Sequence, residues 1–167
     1  MRFTRCSPLQ RAVTPPDAAP AGAEAHYRAL ESLYAAAPIN RFFPSRLEIV
    51  GAGHARIRFR VDPEMHHAAG AAHGTLYFKM LDDAAFYAAN SLVNDRFLLT
   101  TQFNLLFTRP ILAGDVIAEG RWISGRRRVY VADARLIDAD GEEAARGTGT
   151  FMRSRIALST LPGYAQP

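Results

Sequence analysis

The segment that decides the fold is HGTLYFKMLDDAAFYAANSL, residues 73–92. It is rich in Ala, Leu, Met and Phe, and it contains no proline and no glycine after Gly74. This composition predicts an α-helix from Gly74 to about Leu92, roughly 25–28 Å long at about 1.5 Å per residue. Apolar side chains occupy nearly every face, so we expect this helix to be buried rather than docked on a surface.

Strand patterns lie on both sides of this helix. Before it, residues 46–50 and 54–61 alternate between apolar and polar side chains, as half-buried strands do. Four further strand-like runs follow it, at residues 97–108, 115–124, 128–138 and 143–153. The turns between these runs are short and contain Gly or Pro, which favours antiparallel neighbours.

An N-terminal helix precedes the strands. Ala23, Tyr27, Leu30 and Tyr34 recur at helical spacing, and Pro38 ends the run. The simplest way to bury the central helix is one curved antiparallel sheet of about six strands wrapped around it. We therefore predict an α+β fold with this arrangement, plus the N-terminal helix.

The length of 167 residues fits one domain. We expect a flexible N-terminal tail at residues 1–22, a single domain at 23–155 and a C-terminal tail at 156–167. The single cysteine, Cys6, excludes an intramolecular disulfide and a multi-cysteine zinc site. The first 25 residues lack the apolar core of a secretory signal, so we expect a cytoplasmic protein; an organelle transit peptide is the alternative interpretation of this segment.

We expect no membrane partner, because every stretch of 18 apolar residues is interrupted by a charge. The distribution of charge predicts no nucleic-acid partner. Twenty Lys and Arg residues against sixteen Asp and Glu give a net charge of +4, with Lys79 the single lysine. The basic residues are scattered, and no RNA-binding aromatic pattern accompanies them. The alternating row of Arg56, Arg58 and Arg60 is interpreted as the solvent-facing side of a strand.

The start of the central helix is a candidate site for an oxygen that gains negative charge. The first amides of a helix have no partners within it, and they lie at its positive end. The amides of Gly74 and Thr75 occupy these positions. Such donors stabilise an oxyanion in acyl-transfer reactions.

Two adjacent carboxylates lie farther along the helix. Asp83 follows Lys79 by four residues, a spacing that predicts an ion pair on the helix surface. Asp82 shares its face with Phe78 and Phe86. A carboxylate among apolar side chains is costly, which makes Asp82 a candidate for function. The alternative for Asp82 is an ion pair with Lys79, three residues away.

The histidines before the helix do not predict a metal site. His67 and His73 are six residues apart in a Gly- and Ala-rich loop, with His66 adjacent. Zinc sites usually have a more closely spaced pair and a further ligand in its own sequence context, and neither is present here. For His73, the favoured interpretation is a ring that bonds backbone at the helix start. Two basic features are candidates for binding a phosphate: Arg109 at a strand end, and Arg126–Arg128 in a turn. The alternative for Arg126–Arg128 is a solvated turn.

A family resemblance links these features. Residues 73–82, with Ala84, Ala85 and Asn90-Ser91 downstream, resemble the central helix of hotdog-fold acyl-CoA thioesterases, in particular the phenylacetic-acid-degradation (PaaI) type. That family's pattern is His-Gly-Gly, six residues, then Asp, and Asp82 falls in register. Residues 101–110, 113–115 and 147–150 are similar to later family strands. The resemblance covers about residues 39–153.

The resemblance implies a hotdog fold that forms dimers or tetramers, with active sites between subunits. The amide of Gly74 or Thr75 would polarise the thioester carbonyl of an acyl-CoA. Asp82 of the facing subunit would act as general base or nucleophile. The reaction would need no cofactor beyond the coenzyme A of the substrate.

The resemblance also assigns supporting roles. His67 and His73 would belong to the catalytic loop. Phe86 is a candidate to line an acyl slot, and packing in the core is the favoured alternative. The coenzyme A tail would meet Arg109 and Arg126–Arg128. The identity of the acyl group and the choice of dimer or tetramer are left open.

Two departures from the family pattern support an alternative. Thr75 replaces the second glycine, and His67 stands where related enzymes carry Asn or Gln. The alternative is a hotdog protein that binds acyl-CoA, or regulates, without catalysis. A dehydratase, which uses the same fold, is disfavoured because its usual histidine motif differs from the pattern around His73.

Overall fold

The computed structural model describes residues 22–164, which form one antiparallel sheet curved around a central helix. The sheet order is β1-β2-β4-β5-β6-β3. The helices are α1 (Ala23–Ala36) and α2 (Gly74–Asn90), and the strands are β1 (Ser45–Gly51), β2 (His54–Val61), β3 (Arg96–Phe107), β4 (Gly114–Ser124), β5 (Val129–Ile137) and β6 (Glu143–Ala157). The predicted α+β fold of six strands, a central helix and an N-terminal helix is confirmed.

The inner face of the sheet supplies the core. Along β2, Ile57 and Phe59 are buried, whereas Arg58 and Arg60 are exposed, so the predicted alternation is confirmed. Alternate residues of β4 and β5, such as Val116 and Leu136, are buried on the same side. The core therefore lies between the sheet and α2, and the other face of the sheet is open.

Helix α2 lies very close to the sheet because both contacting surfaces are made of small residues. Ala84, Ala85, Ala88 and Ala89 have no exposed surface. A Cβ atom built at Gly120, on β4, would overlap the Ala84 carbonyl group. Only a glycine fits at this crossing, and the helix is held against the strands without an intervening side-chain layer.

The exposed side of α2 differs from the prediction of burial on every face. Thr75 is exposed, Phe78 is 43% exposed and Asp82 is half-buried. Spacings of three and four residues place these three side chains on one face. The curved sheet covers the remainder of the helix, so one stripe of α2 is open beside β3.

The two edges of the sheet are closed to different degrees. At β1, the Ile49 amide donates to the Glu31 carboxylate of α1 at 2.7 Å, so the helix satisfies part of that edge. At the other edge, β3 is twelve residues long and exposes Leu99, Leu106 and Phe107. Such a long apolar edge is a template for pairing with another strand.

The C-terminal segment is more ordered than the tail expected from residue 156 onward. Strand β6 continues to Ala157, and Tyr164 is buried. The Tyr164 hydroxyl lies 2.7 Å from Nδ1 of His26, whose Nε2 lies 3.1 Å from the Asn90 carbonyl oxygen. The segment is thus fastened to α1 and α2. Residues 1–21 and 165–167, which include most of the predicted N-terminal tail, lie outside the described residues.

Candidate active site

Two cavities open along the exposed stripe of α2. One, of about 270 Å³, contains Asp82, and the other, of about 370 Å³, contains Gly74. Strand β3 borders both, through Thr100 at the first cavity and Phe107 at the second. The predicted site residues therefore fall into two groups, one at each end of the stripe.

Asp82 is held by a single neutral partner. The Thr100 hydroxyl lies 3.1 Å from Oδ1 and 3.4 Å from Oδ2 of Asp82 and donates to this carboxylate. Within residues 22–164, no cation lies within ion-pair distance of Asp82, so the alternative pairing with Lys79 is not formed. Burial raises the pKa of Asp82 to about 6; the Thr100 hydrogen bond opposes this effect, and the charge of Asp83 adds to it.

Asp83 is instead the partner of Lys79, as the four-residue spacing predicts. The Lys79 Nζ lies 2.5 Å from Asp83 Oδ2 and 2.8 Å from Asn40 Oδ1. It also lies 5.2 Å from the centre of the Tyr34 ring, a cation–π contact. Burial raises the pKa of Asp83, and Lys79 counteracts that shift. The two adjacent carboxylates thus differ: one is paired with a cation, and the other is available.

Aromatic side chains form the walls of the Asp82 cavity. Phe86, the predicted acyl contact, lines it together with Tyr34, Tyr87 and Phe97. The Phe86 ring packs against Tyr87 at 5.0 Å and Phe97 at 4.9 Å between centroids. These apolar walls explain why the carboxylate is poorly solvated and holds its proton to higher pH.

The start of α2 distinguishes the two predicted oxyanion donors. His73 is the N-cap, and its Nδ1 accepts a hydrogen bond from the Thr75 amide at 3.1 Å. The ring therefore bonds backbone at the helix start, as favoured from the sequence. Among the described residues, no acceptor takes a hydrogen bond from the Gly74 amide. Gly74 carries the free donor at the positive end of the helix.

His67 lies at the same end as Gly74. Its Nδ1 accepts from the Ala69 amide at 3.0 Å, and the residue lines the 370 Å³ cavity with Gly74 and Tyr77. The neighbouring His66 ring bonds the Leu112 carbonyl at 2.7 Å. No group of three His, Cys, Asp or Glu side chains in residues 22–164 is placed to hold a metal ion. In the same range, no helix is long and apolar enough to cross a membrane.

The predicted phosphate contacts lie at opposite ends of the sheet. Arg109 lines the Gly74 cavity, and its guanidinium lies 3.5 Å from Glu142. Arg126–Arg128 occupy the turn between β4 and β5, where the Arg126 guanidinium lies 5.9 Å from the Trp122 ring centre. This turn is at the Leu99 end of β3, because Val129 and Leu99 both pair with Met152. One subunit does not bring the two groups together.

The Gly74 amide and the Asp82 carboxylate cannot reach the same carbonyl within one chain. Eight residues separate them on a continuous helix, a rise of about 12 Å. A catalytic base and an oxyanion donor must each lie within about 3 Å of the reacting atoms. One chain therefore presents two half-sites.

Sequence analysis missed Thr100 as a partner of Asp82. Thr100 pairs with the fully buried Phe151, which places it on the inner face of β3. A polar residue on the inner face of a strand was the available signal. Asn40, which holds Lys79, carried no local signal because its role depends on a contact across 39 residues.

Comparison with known proteins agrees with this fold. The family described as "Thioesterase superfamily" matches residues 69–145, from the loop before α2 into β6. A protein of Saccharolobus solfataricus, provisionally named an esterase, is 26% identical over 114 residues, which cover 68% of this chain and 76% of that protein.

Solved structures share the architecture. The PaaI protein from the Escherichia coli phenylacetic acid degradation operon matches with a TM-score of 0.74 and 18% identity, over 81% of this chain and 97% of that chain. A Streptococcus mutans protein solved with bound acetyl CoA matches with a TM-score of 0.61 and 20% identity, over 66% of this chain and 88% of that chain. The predicted resemblance is confirmed: residues 69–145 match the thioesterase superfamily, and the fold is the hotdog fold of PaaI-like thioesterases.

Proposed function

We propose that this protein hydrolyses acyl-CoA thioesters to a free acid and coenzyme A, at sites shared by two copies of the chain. The observation that carries the proposal is the pair of half-sites on one open face of α2. One half offers a free backbone donor at Gly74, and the other offers a carboxylate, Asp82, with a pKa of about 6. The match to the thioesterase superfamily supports thioester hydrolysis as the reaction class.

Pairing of the open β3 edges would unite the half-sites. Asp82 is bonded to Thr100 near one end of β3, and Gly74 borders the same cavity as Phe107 at the other end. Antiparallel pairing of two β3 strands centred on Asn104 sets Gln102 opposite Leu106 of the partner subunit. Because β3 carries an extra residue between Thr100 and Gln102, Thr100 then lies opposite Phe107 of the partner subunit. A two-fold dimer then places each Asp82 beside the Gly74 amide of the partner subunit.

The chemistry divides between the two subunits. The Gly74 amide of one subunit donates a hydrogen bond to the thioester carbonyl oxygen and stabilises the negative charge that develops there. Asp82 of the other subunit takes a proton from the attacking water, whose oxygen bonds to the carbonyl carbon. The carbon–sulfur bond then breaks, and coenzyme A leaves as a thiolate that takes up a proton. Direct attack by Asp82 is the alternative route.

We assign the two parts of the substrate to the two cavities. The Asp82 cavity, about 270 Å³ with aromatic walls that include Phe86, is suited to a compact acyl group. The Gly74 cavity opens toward Arg109. In the β3-paired dimer, Arg126–Arg128 of the subunit that supplies Asp82 approach the same region. Guanidinium groups are suited to the phosphates of coenzyme A because they donate two parallel hydrogen bonds. The acetyl CoA held by the S. mutans protein supports this substrate class.

The first experiment measures thiol release from short, medium, long and phenylacetyl CoA thioesters, with the wild type and Asp82→Ala compared directly. We expect turnover of a compact acyl-CoA by the wild type and its loss in the variant. A wild type that is inactive on the whole panel would overturn the proposal.

A mixed dimer tests the shared site. Asp82→Ala and Gly74→Pro each remove one half-site. Proline is tolerated at the first position of a helix, where it deletes the N–H, and Gly74→Ala controls for the Cβ that it adds 3.2 Å from the Phe107 ring. After the two inactive chains are refolded together in equal amounts, half of the dimers are mixed, and each contains one intact site. We expect about a quarter of wild-type activity to return, from two-fold symmetry. No recovery would contradict an intersubunit site.

The second candidate function is acyl-CoA binding without hydrolysis. The observation that favours it is the exposed Thr75 side chain on the same face as Asp82, where the family pattern has glycine. Calorimetric binding of an acyl-CoA that remains intact after long incubation would support this candidate. Steady turnover would eliminate it.

A further inference from the structure

A separate cavity lies on the outer face of the sheet, on the side away from α2. Its volume is about 730 Å³, and it is lined by residues of β3, β4, β5 and β6. Arg121, Arg135 and Arg146 line it together with the apolar side chains of Leu106 and Ile123. The sheet separates this cavity from Asp82, so the proposed reaction does not use it.

A buried glutamate organises the charged side of this cavity. Glu119 is 5% exposed and carries four cationic or titratable partners. Its Oε2 accepts two hydrogen bonds from Arg135, at 2.6 and 3.0 Å. Its Oε1 accepts from Arg121 at 3.1 Å, Arg56 at 3.2 Å and His54 at 2.8 Å. Burial alone would raise the pKa of Glu119, but the bonds from Arg135 and His54 and the surrounding arginines lower it to about 2.

This cluster carries more positive charge than its carboxylate balances. Three arginines contact the ionised Glu119, and burial lowers the pKa of His54, which favours its neutral form. Three arginines against Glu119 leave two positive charges, and Asp133, which lies opposite Arg121 in the sheet and lines the same cavity, offsets one of them. Holding guanidinium groups together against their mutual repulsion is unfavourable unless an anion offsets it. Asp133, which also lines the cavity, accepts a hydrogen bond from Thr148 at 2.6 Å.

The arginines keep donors for a ligand. Each guanidinium has five N–H groups, and the bonds to Glu119 use at most two on each. The side chains of Arg121 and Arg135 are 58% and 53% exposed, so they reach the cavity while Glu119 fixes their other side. Prepositioned, planar donors of this kind match the oxygens of a phosphate group.

We propose that this outer cavity binds a small organic phosphate through Arg121 and Arg135. The organic part of the ligand lies against Leu106 and Ile123. The volume falls within the range of about 300–1,000 Å³ that is usual for small-molecule sites. A second copy of the same face is a poor occupant, because Arg58 adds further positive charge to that face.

The test is calorimetric titration at low ionic strength with inorganic pyrophosphate, ADP and coenzyme A. We expect the wild type to bind pyrophosphate and ADP. The double variant Arg121→Gln/Arg135→Gln should bind them at least about tenfold more weakly, because it loses charge-assisted hydrogen bonds. Arg58→Gln removes one positive charge from the same face outside the cavity lining, as Arg121→Gln alone does within the lining, and it should alter affinity by less than about twofold. If the double variant does not fold, the single variant Arg121→Gln replaces it in the titration.

Two arms separate the sources of the phosphate. If ADP binds more tightly than coenzyme A, the ligand is a free nucleotide. If coenzyme A binds to two classes of site and the double variant loses one of them, the ligand is coenzyme A. The readout is binding, so a failure of the proposed hydrolysis would leave this result unaffected. Absence of pyrophosphate and ADP binding would overturn the proposal. An equal loss of affinity in Arg58→Gln would also overturn it. So would a wild type that binds none of the ligands while the double variant changes its oligomeric state.

Discussion

The two ends of the exposed stripe on α2 present two different kinds of polar group. At the Gly74 end the group is a backbone amide at the helix start, and the His73 ring accepts a hydrogen bond from the next amide, that of Thr75. At the Asp82 end it is a side chain whose pKa depends on aromatic walls and one threonine. One end is fixed by backbone geometry, and the other is tuned by its surroundings.

This difference determines how each end responds to mutation. A side-chain substitution removes Asp82 outright, whereas the Gly74 donor survives every substitution except proline. The neighbouring carboxylates offer a second contrast at the Asp82 end, because Asp83 has a cation and Asp82 has none among the described residues. The predictions below separate these contributions.

The largest effect is expected at Asp82. Asp82→Asn keeps the shape but removes the base, and we expect kcat to fall by about a thousandfold, within the range for general-base catalysis. Asp83→Asn is the matched control, and it should retain activity within about tenfold because its amide oxygen still accepts from Lys79. Thiol-release kinetics measure both. Equal losses would show that the pair, rather than Asp82, carries the chemistry.

The Gly74 end is next in size. Gly74→Pro should lower kcat by about a hundredfold, since it deletes one oxyanion donor. Gly74→Ala adds a Cβ 3.2 Å from the Phe107 ring but keeps the N–H, so it measures the steric contribution alone. We expect it to lose less than about tenfold. Similar kinetics for the two variants would assign the oxyanion donor elsewhere.

A smaller effect is expected at the turn between β4 and β5. Changing Arg126, Arg127 and Arg128 together to alanine should raise KM several-fold and leave kcat nearly unchanged, as loss of uniform binding does. An acyl-pantetheine substrate, which has no phosphates, is the control. Its KM should be the same for the wild type and the variant. An unchanged KM for acyl-CoA would identify the turn as solvated.

The smallest effect is a shift in pH dependence. A base works only when ionised, so the rate should fall as the pH drops through the pKa of Asp82, about 6. The charge of Asp83 raises that pKa. Asp83→Asn should therefore move the midpoint downward, by less than about one unit. A profile of kcat/KM against pH measures the shift, and an upward movement would contradict the assignment.

Local patterns in the sequence were sufficient for most of the fold. The composition of residues 73–92 predicted α2, and alternation predicted β2. The four-residue spacing of Lys79 and Asp83 predicted their ion pair, which in turn singled out Asp82. Each of these inferences depends on neighbours within about one or two helical turns or one strand.

Contacts between segments that are distant in the sequence could not be predicted from these local patterns. His26 and Tyr164 are 138 residues apart, so no local pattern predicted the packing of the C-terminal segment. Arg56 looked like part of a solvated row, yet the strand register places it opposite Glu119, which in turn lies opposite Arg135. Charge clusters across a sheet follow from register, and register depends on which strands pair.

Because Gly120 and Ala84 are in contact where β4 crosses α2, we expect substitutions at position 120 to abolish activity, although this position touches neither half-site. Any side chain there pushes α2 away from β4, and α2 carries both Gly74 and Asp82. In a scan of all substitutions, position 120 would tolerate none of the nineteen alternatives. Its intolerance would resemble that of a catalytic residue, and the cause would be helix placement alone.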